Sequence, residues 1–128
     1  MREPVTDTLM FLNEHPKAVP LYACLEETVY ELFPAVNKRV HKTQISFSNR
    51  RVFACVSFAR VKRKAELPDP FIVLTLGLPD PLESARVAAK TEAYPGRWTT
   101  HLVVGSVDEI DEELRTWIRQ ACAFADSK

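Results

Sequence analysis

The architecture of this chain follows from residues 44–58, which read QISFSNRRVFACVSF. The runs 44–47 and 51–58 are rich in β-branched and aromatic residues, and residues 48–50 between them have turn chemistry. This pattern predicts a β-hairpin. Because the second run is apolar on both faces near residues 53–56, we expect it to be an interior strand of a sheet.

The segment before the hairpin has the periodicity of a helix. Across residues 8–33, apolar side chains recur at every third or fourth position from Leu21 to Leu32, which places them on one helical face. Pro16 disfavours a helical conformation in the residue before it, so we expect a break at His15.

The segment after the hairpin predicts two further strands and a closing helix. Residues 71–78 and 99–104 read as strands, and residues 82–94 suit a short helix. Ser106 followed by Glu109 is a capping-box pattern, which favours a last helix that starts there. These segments predict the α+β class, with a four-stranded, mostly antiparallel sheet and the N-terminal and C-terminal helices packed on one face.

The composition is that of a globular protein. With 128 residues, of which 46% are apolar and 27% charged, the chain suits a single domain over residues 1–128. No apolar run approaches the roughly 18 residues that span a bilayer, and the N-terminus does not resemble a signal peptide. Cys24, Cys55 and Cys122 are widely spaced in apolar sequence, which predicts buried thiols. We therefore expect a cytoplasmic protein without membrane contact.

Charge is unevenly distributed although the formal net charge is zero. Residues 32–65 contain nine Lys and Arg and no Asp or Glu, and the segments on either side carry net charges of −4 and −5. A cationic stretch attracts anions even on a neutral protein. We expect binding of nucleic acid or another phosphate-rich partner through a basic hairpin. The candidate residues are Lys38, Arg39, Lys42, Arg50, Arg51, Arg60, Lys62, Arg63 and Lys64.

A second candidate site lies just after the turn at residues 94–96. Arg97 offers a planar group for carboxylate or phosphate, and Trp98 offers a flat apolar wall. His101 follows on the same predicted strand, and His41 lies on a strand expected nearby. A pocket for a small anionic molecule is one alternative. Another is that Trp98 fills the core and Arg97 pairs with acids of the last helix.

A third alternative is a protein-interaction module, which would expose an apolar patch. The chain contains no recognisable catalytic pattern: its three glycines are too far apart to cradle phosphates, and there is no nucleophile elbow. The hairpin also lacks the carboxylates of a metal-dependent nuclease. A binding role is therefore favoured over an enzymatic one, and no catalytic residue, metal ligand or cofactor is predicted.

Several strings along the chain share the arrangement of a known family. They are Phe11-Leu12-x-x-His15-Pro16, His41-Lys42-Thr43-Gln44-Ile45-Ser46-Phe47, Phe71-Ile72-Val73-Leu74, Tyr94-Pro95-Gly96-Arg97-Trp98-Thr99 and Asp111-Glu112-Glu113-Leu114. Over nearly the whole chain they resemble the bacterial family called domain of unknown function 5655. This resemblance implies a fold and a bacterial cytosolic origin, but no activity. The order of helix, four strands and helix is also similar to the YjbR-like proteins, which implies a DNA-binding role.

Overall fold

The structure, a computed structural model, describes residues 6–59 and 66–127. The described helices are α1 (Thr6–Phe11), α2 (Val19–Leu32) and α3 (Glu112–Asp126). The strands are β1 (Asn37–Val40), β2 (Gln44–Ser48), β3 (Val52–Ser57), β4 (Ile72–Leu78), β5 (Val87–Tyr94) and β6 (Arg97–Val104). Within these residues no helix has both the length and the apolar character needed to cross a membrane.

The strands form one antiparallel sheet in the order β1-β2-β3-β4-β6-β5. The predicted hairpin is formed by β2 and β3, and β3 lies in the interior of the sheet between β2 and β4. The α+β class and the antiparallel sheet are therefore confirmed. The predicted number of four strands is wrong, because the sheet has six in the described part of the chain.

The two additional strands lie at the edges of the sheet. β1 falls in the cationic part of the chain, pairs with β2, and alternates between exposed and half-buried side chains. The helix predicted over residues 82–94 is wrong, because residues 87–94 form β5. Pairing with β6 across a tight turn outweighs the helix preference of the alanines in β5.

Alternation along β4 divides the sheet into a core face and a second face. Ile72, Leu74, Leu76 and Leu78 are at most 3% exposed and belong to the hydrophobic core. The buried apolar residues of α2 and α3 belong to the same core, so both helices pack on this face. The residues between, such as Thr75, point the other way, to what we call the second face.

The break expected before Pro16 is confirmed. α1 ends at Phe11, and Pro16 begins a 3₁₀ turn that leads into α2. The ring of His15 stacks on that of Phe58, with centroids 3.8 Å apart. The chain therefore turns at the proline while packing against the residue that follows β3.

The last helix begins later than the sequence predicts. Ser106 and Glu109 instead bracket a 3₁₀ turn, in which the Ser106 backbone N–H donates to Glu109 Oε1 over 3.1 Å. α3 begins at Glu112, because the Asp111 side chain accepts a hydrogen bond of 3.0 Å from the Leu114 backbone N–H. This hydrogen bond is the main reason that the pKa of the Asp111 carboxyl lies below its usual value.

A buried ion pair joins α2 to β1. Lys38 Nζ lies 2.5 Å from Glu26 Oε1, and the two side chains are 12% and 10% exposed. The hydroxyl of Tyr22 donates to the same Glu26 oxygen over 2.8 Å, and Lys38 also donates to Thr8 Oγ1 of α1. Lys38 is therefore engaged inside the fold.

Thr100 is fully buried on β6, and its Oγ1 has no hydrogen-bond partner among the described residues. An unpaired buried hydroxyl costs on the order of 1–3 kcal/mol, and valine has nearly the same shape. We expect Thr100→Val to raise the free energy of unfolding in urea by about 1 kcal/mol. Thr99→Val, at the half-buried neighbouring position, should change it by less than about 0.5 kcal/mol. A destabilised Thr100→Val protein would contradict this account.

Removing Lys38 should leave the Glu26 carboxylate buried without its cation. Breaking a buried pair from one side costs about 3–5 kcal/mol, so Lys38→Met should lower the free energy of unfolding by about 3 kcal/mol. Glu26→Gln in the same background should recover much of this loss, because the remaining group is neutral. Lys42→Met, at an exposed position, is the control. If Lys38→Met were as stable as the control in urea, the pair would not stabilise the fold.

Candidate anion-binding cleft

A cleft lies at the end of the sheet where the β2–β3 turn, the β5–β6 turn and the end of α3 meet. Its volume is about 220 Å³, and the residues that line it are Arg51, Val52, Gly77, Tyr94, Arg97, Phe124 and Ala125. Its position follows from the sheet order. β3 and β6 both run antiparallel to β4, so both begin beside the end of β4. Arg51 just precedes β3 and Arg97 starts β6, so the fold brings the two residues to one site.

The β5–β6 turn holds one side of the cleft. Pro95 and Gly96 are its central residues, and Gly96 has a φ of 84°, in the left-handed region that glycine adopts without strain. Proline followed by a glycine of positive φ is typical of a type II turn. Tyr94 and Arg97 are paired across this turn, so it positions both at the edge of the cleft.

The guanidinium of Arg97 lies against the backbone of β4 at Gly77. A Cβ placed on Gly77 would be 2.7 Å from Arg97 Nη2 and 2.9 Å from Arg97 Cζ, well inside contact distance. Gly77 is paired with Thr99, two residues along β6 from Arg97. The glycine therefore leaves the space that this guanidinium occupies.

The cleft is cationic in the described part of the chain. Neither Arg51 nor Arg97 has an ion-pair partner among the described residues, and none of the described residues that line the cleft carries a carboxylate. Asp126 ends α3, and its backbone carbonyl accepts a hydrogen bond of 3.3 Å from Arg50 Nη1. Burial raises the pKa of the Cys55 thiol, and the charge of Arg97 offsets part of this rise. The positive charge of Arg97 therefore acts on Cys55, which lies on the second face.

The other predicted cations that the structure describes are distributed over several parts of the fold. Lys38 is held in the buried ion pair described above. Arg39 is exposed on the edge strand β1, Lys42 in the β1–β2 turn and Arg50 in the β2–β3 turn. Lys42 and Arg50 flank opposite ends of β2, whose five residues span about 17 Å. Lys42 and Arg50 therefore lie at opposite ends of the hairpin.

Among the described residues of the predicted basic hairpin, Arg51 lines the same cleft as Arg97. Four members of the set lie outside the described residues: Arg60, Lys62, Arg63 and Lys64. Binding of nucleic acid through the nine hairpin residues stays a prediction.

The sheet divides the second predicted pocket. Trp98 is paired with Leu78 and therefore points to the core face, whereas its neighbour Arg97 points to the second face. Trp98 is half-buried and does not line the cleft that contains Arg97. Among the described residues, Trp98 is not one of those that form the hydrophobic core or pack against it, and Arg97 makes no ion pair with the acids of α3, so the alternative of a core Trp98 and a paired Arg97 is not confirmed either.

The two histidines of that predicted pocket lie far apart. His41 Nε2 is 3.2 Å from Ser46 Oγ on β2, and His101 Nδ1 is 2.8 Å from Thr75 Oγ1 on β4. Ser46, Cys55, Thr75 and His101 form one row across four strands. At about 4.8 Å between strands, Ser46 and His101 are roughly 14 Å apart. Among the described residues, moreover, no group of His, Cys, Asp and Glu is arranged to hold a metal ion.

Sequence reasoning missed Gly77, Tyr94 and Phe124 as parts of the cleft. A signal was present for Gly77, because a glycine inside an apolar strand run often marks a close approach of another group. Phe124 belongs to the apolar stripe of the last helix, and nothing in its local sequence distinguishes it from a core residue.

His101 should contribute to the pH dependence of stability. Burial lowers the pKa of its imidazole, so the unfolded chain binds a proton at higher pH than the folded chain does. The stability contributed by the neutral form is complete above the unfolded pKa of about 6.5, and is lost as the pH falls through the folded value. Between pH 7 and pH 5, the free energy of unfolding in urea should therefore fall less for His101→Gln than for the unchanged chain. Identical slopes for the unchanged chain and His101→Gln would refute this contribution.

Comparison with known proteins identifies a family but no activity. The family described as Domain of unknown function (DUF5655) matches residues 8–125. No curated protein and no solved structure matches the chain. The layout resemblance to YjbR-like proteins therefore stays an expectation. Because the family match extends over nearly the whole sequence, the chain belongs to the family of domain of unknown function 5655.

Proposed function

We propose that this chain binds an anionic ligand bearing a phosphate group in the cleft between Arg51 and Arg97. The observation that carries the proposal is the convergence of these two arginines on a cleft whose described lining residues include no carboxylate. A guanidinium presents parallel N–H donors that match two oxygens of a phosphate. Two such groups at one site favour phosphate over a neutral ligand.

The placement of Arg97 further supports the proposal. Its guanidinium lies against the Gly77 backbone instead of extending into solvent, so part of the entropy cost of ordering a long side chain on binding is already met. Arg51 is exposed in the adjoining turn and can approach a ligand from the other side. The arrangement combines one positioned donor with one adaptable donor.

The size of the cleft limits how much of a ligand it can enclose. Its volume of about 220 Å³ lies below the roughly 300–1,000 Å³ of sites that enclose drug-sized ligands. It suits a phosphate group and its immediate neighbour. That group can belong to a small phosphorylated molecule or to the end of a nucleic-acid strand. In the second case, further phosphates would lie outside the cleft.

Substitution of either arginine should weaken phosphate binding. A hydrogen bond to a charged group contributes about 1.5–3 kcal/mol, so Arg97→Gln and Arg51→Gln should each weaken binding at least about 10-fold. The probes are inorganic phosphate, adenosine monophosphate and a labelled 12-nucleotide single-stranded DNA, measured by calorimetry or fluorescence anisotropy. Arg39→Gln and Lys42→Gln remove equal charge elsewhere and serve as matched controls.

Gly77→Ala provides a test that keeps both charges. The added methyl group would displace the Arg97 guanidinium, so binding should weaken although the net charge is unchanged. Circular dichroism would verify that each variant is folded. Affinity unchanged in both Arg97→Gln and Arg51→Gln would overturn the proposal.

The controls and the salt dependence separate the two sources of phosphate. For single-stranded nucleic acid, each contacted phosphate contributes about −0.7 to the slope of log affinity against log salt. A strand with one phosphate held in the cleft should give a slope of about −0.7. A steeper slope, with losses in Arg39→Gln and Lys42→Gln as well, would indicate a strand that follows the hairpin. Tight binding of adenosine monophosphate with unaffected controls would indicate a small ligand.

A further inference from the structure

Helix α2 carries more apolar surface than the core uses. Leu21, Leu25 and Val29 are at most 3% exposed and pack in the core with the sheet. Ala23, on another side of the helix, and Val19, which also packs against the core, line a groove between α1 and α2 with a volume of about 360 Å³. A helix with apolar residues on a second side has a second surface available for contact.

Apolar side chains of α1 form the other wall of this groove. Leu12 is buried at its base, whereas Leu9 is 49% exposed at its edge. Leu9 therefore leaves apolar surface exposed at the edge of the groove, as is typical of surfaces that contact another macromolecule.

The rim of the groove is acidic. Glu26, Glu27 and Glu31 are among its lining residues, and none of the described lining residues is Lys or Arg. Glu26 is neutralised inside the fold, and Glu31 Oε1 is 3.3 Å from Arg115 Nη1 in a partly exposed pair. Glu27 is exposed and has no ion pair among the described residues. Burial is the main reason that the pKa of the Cys24 thiol is raised, and the negative charges of Glu27 and Glu31 raise it further. Both carboxylates therefore contribute negative potential on this helix.

We infer that this groove docks a cationic amphipathic helix of a partner protein. The apolar face of that helix would enter between α1 and α2, and its Lys or Arg side chains would meet Glu27 and Glu31, which are one helical turn apart. Helix-in-groove recognition uses apolar anchors at this same spacing. Charge complementarity selects a basic helix over an acidic one, because like charges at the rim would repel. This inference is independent of the anion-binding cleft.

A designed peptide can test the inference without knowledge of the natural partner. The probe is a labelled 14-residue amphipathic helix of Leu and Lys, compared with its Leu and Glu counterpart. We expect the cationic peptide to bind and the acidic peptide to bind at least about 10-fold more weakly. Chemical-shift changes in the unchanged chain should concentrate on α1 and on the groove side of α2. No binding of the cationic peptide, equal binding of both peptides, or shift changes elsewhere would overturn the inference.

Two exposed positions allow matched variants. Leu9→Ser removes an apolar contact and should weaken peptide binding about 10-fold, whereas Val107→Ser changes a residue of nearly the same exposure, 48% against 49%, elsewhere on the chain. Glu27→Lys should weaken binding about 5-fold, with the exposed Asp80→Lys as its charge-matched control. If Leu9→Ser failed to fold, Glu27→Lys and the shift changes would still decide. Variants that bind as tightly as their controls would exclude the groove.

Discussion

Packing of one face of the sheet against α2 and α3 is the constraint on which the rest of this structure depends. The core contains alternate residues of β4 together with the buried apolar residues of α2 and α3. Packing against the helices therefore determines the register between neighbouring strands. Once that register is set, the starts of β3 and β6 lie beside the end of β4. Arg51, Gly77 and Arg97 meet there. The cleft is thus a consequence of how the core packs.

The same alternation separates described cations that are close together in the sequence. Neighbouring residues of a strand point to opposite faces. Lys38 therefore turns toward α2, where Glu26 neutralises it, while Arg39 remains exposed. Like charges that are adjacent in sequence are separated by the pleat and by the length of β2. Arg97 lies far along the chain from the hairpin and still reaches the same cleft as Arg51.

The parts of the fold that could be predicted are those with a strong local signal. The β2–β3 hairpin and β4 have continuous apolar runs, and Pro16 imposes a break that needs no tertiary contact. The edge strands β1 and β5 bury few side chains, so β1 has little strand signal of its own and β5 resembles a helix until a partner strand is present. At the start of α3, two capping patterns compete. Asp111 prevails over Ser106 because its carboxylate reaches the Leu114 backbone N–H of the helix itself.

The sequence alone predicted the α+β class, the antiparallel hairpin and the likeness to the family. It also showed that positive charge is concentrated in one segment. The candidate site could be anticipated only in part, because Arg51 and Arg97 fell into two separate predicted sites. Tertiary structure decided that they belong together, that Lys38 is a structural residue, and that Gly77 makes room for a guanidinium. Each of these three outcomes depends on which strands are neighbours and on the register between them. The packing of side chains from distant segments determines the neighbours and the register.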